Sequence, residues 1–324
     1  MTRIVATGLA VIGLFAVAIP AQAQKYPDHT VTIIVPYPAG GPTDETARMV
    51  GNFLSKKFGQ NFIVENVTGG STIIATNKVA KAAPDGYTLL VHNLQITANV
   101  TLFKDLPFNT EKDITGVALI NRNPLVMVGR PGLAPNNLKE LLSLMKKERL
   151  KEALPGFGTT GHLTSALFQQ ETKVKIDEIP YRGAAPAMVD LLGDHVDVFI
   201  GTPQSLAPQV KAGKLKAYAI TSKDKSPLFP NADSLVDVLG PKFEIMYWQG
   251  MFAPASTPAA VLKTLNEAVA EAVSDPAILK TWTGEGVSPF PKDQRSLAAA
   301  NAMMKSETAR WGKIITDNNI HVTQ

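Results

Sequence analysis

Two glycine-bearing stretches carry the residue types best suited to holding a small anion. The first is Val35-Pro36-Tyr37-Pro38-Ala39-Gly40-Gly41-Pro42-Thr43-Asp44. It lies between the β-branched run Val31–Val35 and the helical spacing of Ala47, Val50 and Leu54. The second, Gly156-Phe157-Gly158-Thr159-Thr160-Gly161-His162, runs into Leu163, Ala166 and Leu167. A loop of glycines and hydroxyls that opens a helix presents unpaired backbone N–H groups and the positive end of the helix dipole. That combination binds anions without a basic side chain. Two such loops, one from each half of the chain, can grip a small carboxylate between them.

Other chemistries find less support. The second stretch also fits G-x-G-x-x-G, with Asp177 or Glu178 standing where a ribose-binding acid would. Pro155 spoils the strand before it, however, and an exported protein rarely meets free dinucleotide. The histidines at 29, 92, 162, 195 and 321 show no metal-ligand spacing. No G-x-S-x-G elbow is present and the chain has no cysteine, which removes thiol nucleophiles and disulfides together. Neither catalytic residues, metal nor cofactor are therefore expected, and an exported hydrolase is a remote alternative. Asp44 reads as a helix N-cap, because a carboxylate would repel an acid ligand. His162 suits a structural role at a helix start as well as a ligand contact. Tyr247 and Trp248, on a returning strand, read as core.

The elements that must position these loops follow from the pattern. Arg3, an apolar run from Ile4 to Ile19, and Ala21-Gln22-Ala23 form a secretory leader over residues 1–23. Cleavage after Ala23 would leave a periplasmic chain of about 300 residues, enough for two domains. The net charge of +4 is small and its lysines and arginines are scattered, so neither nucleic acid nor anionic lipid is indicated. Strand-like and helical runs alternate as β-α-β-α-β through Val91, which predicts a mostly parallel sheet with helices on both faces. Apolar runs at 117–120 and 125–128 follow, and a second alternation continues to Thr221. The chain then returns at 246–252 and ends in helices at 258–273, 277–283 and 296–318. The fold class is α/β and bilobal, with lobe 1 from 24–120 and 248–324 and lobe 2 from 121–247. The two hinge crossings fall near 117–123 and 243–252, and the cleft lies at the strands' C-terminal ends, where open α/β sheets bind ligands.

The stretches VPYPAGGPTD (35–44), VENVTGG (64–70), KAAPDGYTLL (81–90), GFGTTGHL (156–163), PYRGAAPAMVDLLGDHVDV (180–198), KAGKLKAYAITS (211–222) and FAPASTP (252–258) occur in the order and spacing of one family. On them the chain resembles the Bug family, the solute receptors of tripartite tricarboxylate transporters. The resemblance covers nearly all of the chain beyond the leader. It implies a type II-like Venus-flytrap periplasmic binding protein, monomeric, delivering a small organic carboxylate to cognate permease subunits in the membrane. It places Tyr37, Ala39, Gly40, Gly41 and Thr43 from the first loop, and Gly158, Thr159, Thr160 and His162 from the second, around the ligand. His92, Asn93 and Thr202 would line the far wall. Leu154-Pro155 and Phe157 depart from the family pattern, and Phe157 would narrow the pocket or stack on a flat ring. Gly201 stands where relatives carry an acid or amide, which argues against amino acids as ligands. A receptor that reports to a sensor kinase would share this fold and site.

Overall fold

Val31–Val35 consists of Val, Thr and Ile throughout, residues whose branched side chains pack well on a pleated surface. It forms β1, with Val31, Ile33, Ile34 and Val35 wholly buried. The computed structural model describes residues 26–322, and the leader with its cleavage site lies outside them. Parallel partners flank β1 on either side: β2 (Phe62–Asn66) and β3 (Thr88–Asn93). The connections are α1 (Pro42–Phe58) and α2 (Ile73–Ala80). After β3 come α3 (Gln95–Leu102), the one-turn α4 (Thr110–Asp113) and the long strand β4 (Ile114–Pro124).

The second unit runs β5 (Val126–Gly129), α5 (Leu138–Met145), β6 (Leu150–Leu154), α6 (Thr160–Thr172), β7 (Ile176–Pro180), α7 (Ala184–Leu192) and β8 (Val198–Gly201). It continues through α8 (Pro203–Lys211), β9 (Lys216–Ile220), β10 (Asp233–Ser234) and α9 (Leu235–Leu239). The chain then returns as β11 (Met246–Pro254), followed by α10 (Ala259–Ala272), α11 (Pro276–Glu285), β12 (Ser288–Pro289) and α12 (Leu297–Asp317).

Two six-stranded sheets result, in the orders β12-β4-β11-β3-β1-β2 and β10-β9-β5-β8-β6-β7. Both are mixed, although in the second every pairing except those of β5 is parallel. β11 runs antiparallel to β3 and β4 in the first sheet, and β5 runs antiparallel to β8 and β9 in the second. The β-α-β rhythm in the sequence describes each unit's parallel part correctly. Of the antiparallel strands, β5 and β11 lie next to the passages between units and β12 is an edge on β4, and a single strand's pattern does not reveal its direction.

The segments expected to cross between lobes prove to be mostly sheet. Residues 117–123 lie in β4 and 246–252 in β11, and the two strands pair from Met246↔Pro124 to Pro254↔Ile114. The passage between sheets falls at their ends, at 124–126 and 243–246. Thr221 ties the two passages together. Its N–H donates to Leu125 O and its carbonyl accepts from Ile245 N, while its hydroxyl accepts from Leu125 N and donates to Ile245 O.

The C-terminal helices pack on the first unit, α10 and α12 against β4 and α12 against α3. Trp248 on β11 and Trp311 on α12 are buried, and both indole N–H groups donate to Glu307. Truncating a buried tryptophan of this kind costs ~3–5 kcal/mol, so this seam anchors the tail that completes the first unit.

Candidate functional site

Four helices begin at one small cavity between the two sheets. The N-caps are Gly41 for α1, Thr159 for α6, Gly183 for α7 and Thr202 for α8. The cavity, of about 80 Å³, is lined by residues from all four starts together with Tyr37, Asn93, Leu125, Phe199 and Tyr247. The first N–H groups of a helix have no partner within it, and each N-terminus carries roughly half a positive charge. Not one lining residue is charged. The positive field at this point therefore comes from backbone, with hydroxyls of Thr43, Thr160, Thr202, Ser205 and Tyr247 around it.

Glycine is required where these helix starts come close to other backbone. A Cβ on Gly161 would stand 2.6 Å from Ile200 O, so α6 can begin against β8 only without a side chain there. Gly183 has φ +120°, and a Cβ on it would meet the Pro38 ring at 3.2 Å. Pro38 and Gly183 belong to different units, so the walls of the cleft touch here. They are also linked by Gln95, whose amide nitrogen donates to Phe157 O at 3.1 Å while its oxygen accepts from the Tyr37 hydroxyl at 2.8 Å.

Of the residues expected around a ligand, Tyr37, Ala39, Gly41, Thr43, Asn93, Thr159, Thr160 and Thr202 line the cavity. The other four are not among its lining residues. Gly40 gives its N–H to Asp44 Oδ2 at 3.0 Å. Gly158 gives its N–H to His162 Nδ1 at 3.1 Å, so His162 holds the loop from within α6, its Nε2 facing Glu178 at 3.7 Å. His92 is fully buried, with its ring edge-on to Tyr37 and its Nδ1 accepting from Asn93 N at 2.7 Å. Burial lowers both imidazoles, His92 to about 3 and His162 to about 4, so both are neutral at pH 7. Neither can offer a cation to an anion.

Thr159 lines the cavity, yet its hydroxyl is committed: it donates to Gly156 O at 2.8 Å and accepts from His162 N at 3.3 Å. It is the N-cap. Thr160 is the reverse case, 2% exposed with an Oγ1 that has no protein partner among the described residues. Asp44 plays a structural part at the third position of α1 rather than as its N-cap. Burial works against its charge, but hydrogen bonds from Arg48, Gly40 N–H and Asn66 outweigh that and lower its pKa.

Sequence reasoning missed the start of α7 and Tyr247. Gly183-Ala184-Ala185 has the glycine-before-helix signal in R-G-A-A, but no hydroxyls to draw attention to it. Tyr247 reads as core and is buried, at 7% exposed, yet it is one of the residues that line the cavity. A second cavity of about 550 Å³ adjoins the first and shares Tyr37, Pro38, Pro155, Thr159 and Gly183 with it. Phe157 lines this second cavity rather than the small one, as does Arg182, the one cation among the lining residues of the two.

A two-unit α/β molecule with helix starts from both units converging on one interlobe cavity is a solute receptor by architecture. The family model for the tripartite tricarboxylate transporter family receptor matches residues 46–320, and the chain belongs to that family. Bordetella pertussis protein BugT is 32% identical over 328 residues, spanning 98% of each chain. The structure of the periplasmic binding protein BugD superposes with a TM-score of 0.87 at 30% identity, covering 91% of this chain and 99% of that one. MatC from Rhodopseudomonas palustris with bound malate gives a TM-score of 0.85 at 32% identity, covering 90% and 100%. The fold is thus that of the bilobal periplasmic binding proteins.

Proposed function

We propose that the chain captures a small carboxylic acid in the interlobe cavity and hands it to a membrane permease of the tripartite tricarboxylate type. The observation that carries this reading is the convergence of four helix N-termini on a cavity without a charged side chain. Such a site favours an anion whose charge is spread over two oxygens that can each accept several N–H bonds. The malate held by the related MatC is an anion of this kind.

The rest of the reading follows from it. The leader at 1–23 directs export and is cleaved after Ala23, and the mature protein works as a monomer in the periplasm without metal, cofactor or catalysis. Lobe 1 comprises the first sheet and the C-terminal helices, and lobe 2 the second sheet. Hydrogen bonds to a charged group contribute ~1.5–3 kcal/mol net, and partly buried helix ends add up to ~2 kcal/mol. A few such contacts, less the cost of association, give binding near the micromolar range, about −8 kcal/mol. Contacts from both lobes are complete only when the lobes are together, so ligand shifts the population toward the closed form.

Thermal-shift screening of the mature protein against mono-, di- and tricarboxylates and aromatic acids, with calorimetry on the hits, tests this. At least one acid raises the unfolding temperature and binds equally well in EDTA. A response to none of the acids, or binding abolished by EDTA, contradicts it.

A further inference from the structure

We infer that Tyr247 fixes the hydroxyl proton of Thr43 toward the ligand, so that Tyr247 sets the preference for a carboxylate over its isosteric amide. The inference rests on the carboxylate reading above and deepens it.

A count of protons fixes the direction of each bond in this cluster. Asn93 Oδ1 accepts from Gln95 N at 2.9 Å, which turns its amide nitrogen toward Tyr247 and Thr43, at 3.2 and 3.5 Å. Gln249 Nε2 donates to the same Tyr247 oxygen at 3.1 Å. Gln249 is fully buried, and its Oε1 has no partner. Turning its amide over would leave an NH₂ group without an acceptor, a costlier defect than a bare carbonyl. The phenol oxygen therefore receives two N–H groups, and its own proton goes to Thr43 Oγ1, 2.8 Å away. Thr43 Oγ1 becomes an acceptor toward Tyr247. Its own proton has no acceptor among the described residues, and Thr43 faces the cavity.

A free hydroxyl rotates to donate or to accept as its partner requires. This one has lost that choice. The helix-start N–H groups around it are donors too, so an NH₂ placed among them would find donors where it needs acceptors. A carboxylate satisfies them all. The sequence signal for Tyr247 was that of a core residue because the ring is indeed packed; its hydroxyl acts through Thr43.

Calorimetry at pH 7 with acetate and acetamide, propionate and propionamide, succinate and succinamate, and benzoate and benzamide tests the assignment on wild type, Tyr247→Phe, Thr43→Val and the double variant. In wild type the best-bound acid exceeds its amide by about 30-fold or more, and in Tyr247→Phe that ratio falls about tenfold. Thr43→Val gives a similar fall and the double variant no further one, since both act at one point. Equal loss of acid and amide in Tyr247→Phe, with the ratio unchanged, overturns the assignment while leaving the carboxylate reading intact. Wild type that responds neither to these acids nor to any in the wider screen overturns both. Should Tyr247→Phe fail to fold, neutron diffraction on wild type decides: the Thr43 hydrogen points into the cavity, or it points at Tyr247 and the inference is wrong.

Discussion

The two glycine loops read alike in sequence and are built differently. In the first, the cavity-facing hydroxyl of Thr43 belongs to a packed cluster with Tyr247, Asn93 and Gln249, and Asp44 takes the spare N–H of Gly40. In the second, the supports stand behind the loop. Thr159 caps α6 and His162 holds Gly158, while Thr160 is left with an unpartnered hydroxyl. The first loop is held both beside the cavity, through Thr43, and away from it, through Asp44 and Asn66, whereas the second is held from behind. A residue's place in a loop motif therefore does not tell whether it touches ligand or scaffold; the hydrogen-bond count does.

The comparison breaks most visibly at the start of α6. In Gly161→Val the side chain would drive into Ile200 O and tilt the Thr160 and Gly161 N–H groups away from the cavity. Two lost bonds of ~1.5 kcal/mol each lower affinity roughly 100-fold, as calorimetry would read. Affinity within a few-fold of wild type would remove α6 from the site.

A sharper division separates the adjacent threonines. Thr160→Val removes a donor to ligand and costs about tenfold or more in affinity, with little change in thermal midpoint. Thr159→Ala removes the cap and costs ~1 kcal/mol of stability, with the smaller effect on binding. Paired calorimetry and thermal unfolding check both, and the reverse pattern would mean that the two roles are exchanged.

How far the sequence discloses this arrangement depends on the residue. β1, β3 and the long helices were legible because branched or periodic apolar runs have no other use in a soluble chain. The strand β6 was obscured by Lys151 and Glu152, although Glu152 faces inward, 1% exposed, against Ser165. The helix α3 carries no legible stripe, because Gln95, Thr97 and Asn99 on its buried face are polar. In the site, the glycine–hydroxyl loops were legible as anion-suited. The roles of Gly40, His92, Gly158 and His162 were not, since each depends on a hydrogen-bond partner distant from the motif or hidden behind it.

The least of these effects is on stability alone. Burial, with the nearby Glu178 charge adding to it and the Ser165 hydrogen bond opposing it, raises the Glu152 carboxyl to about 8. The folded state thus holds a proton that the unfolded chain releases above the usual carboxylate range. Its contribution is fully present below that range and is lost as pH rises toward 8. Glu152→Gln should therefore gain stability relative to wild type between pH 5 and 8, by up to a few kcal/mol, without changing affinity. Chemical denaturation at several pH values reads the slope, and an unchanged difference across the window would place the proton elsewhere.

The central claim is that helix starts from both lobes, and no cationic side chain, hold a carboxylate in the small cavity. A crystal structure of the mature protein with the tightest-binding acid tests it most directly. The account predicts carboxylate oxygens within ~3 Å of first-turn N–H groups of α1 on one side and α6 or α7 on the other, with the Thr43 and Thr160 hydroxyls turned toward them. A carboxylate paired instead with Arg182 in the larger cavity, or bound by one lobe alone, would contradict it.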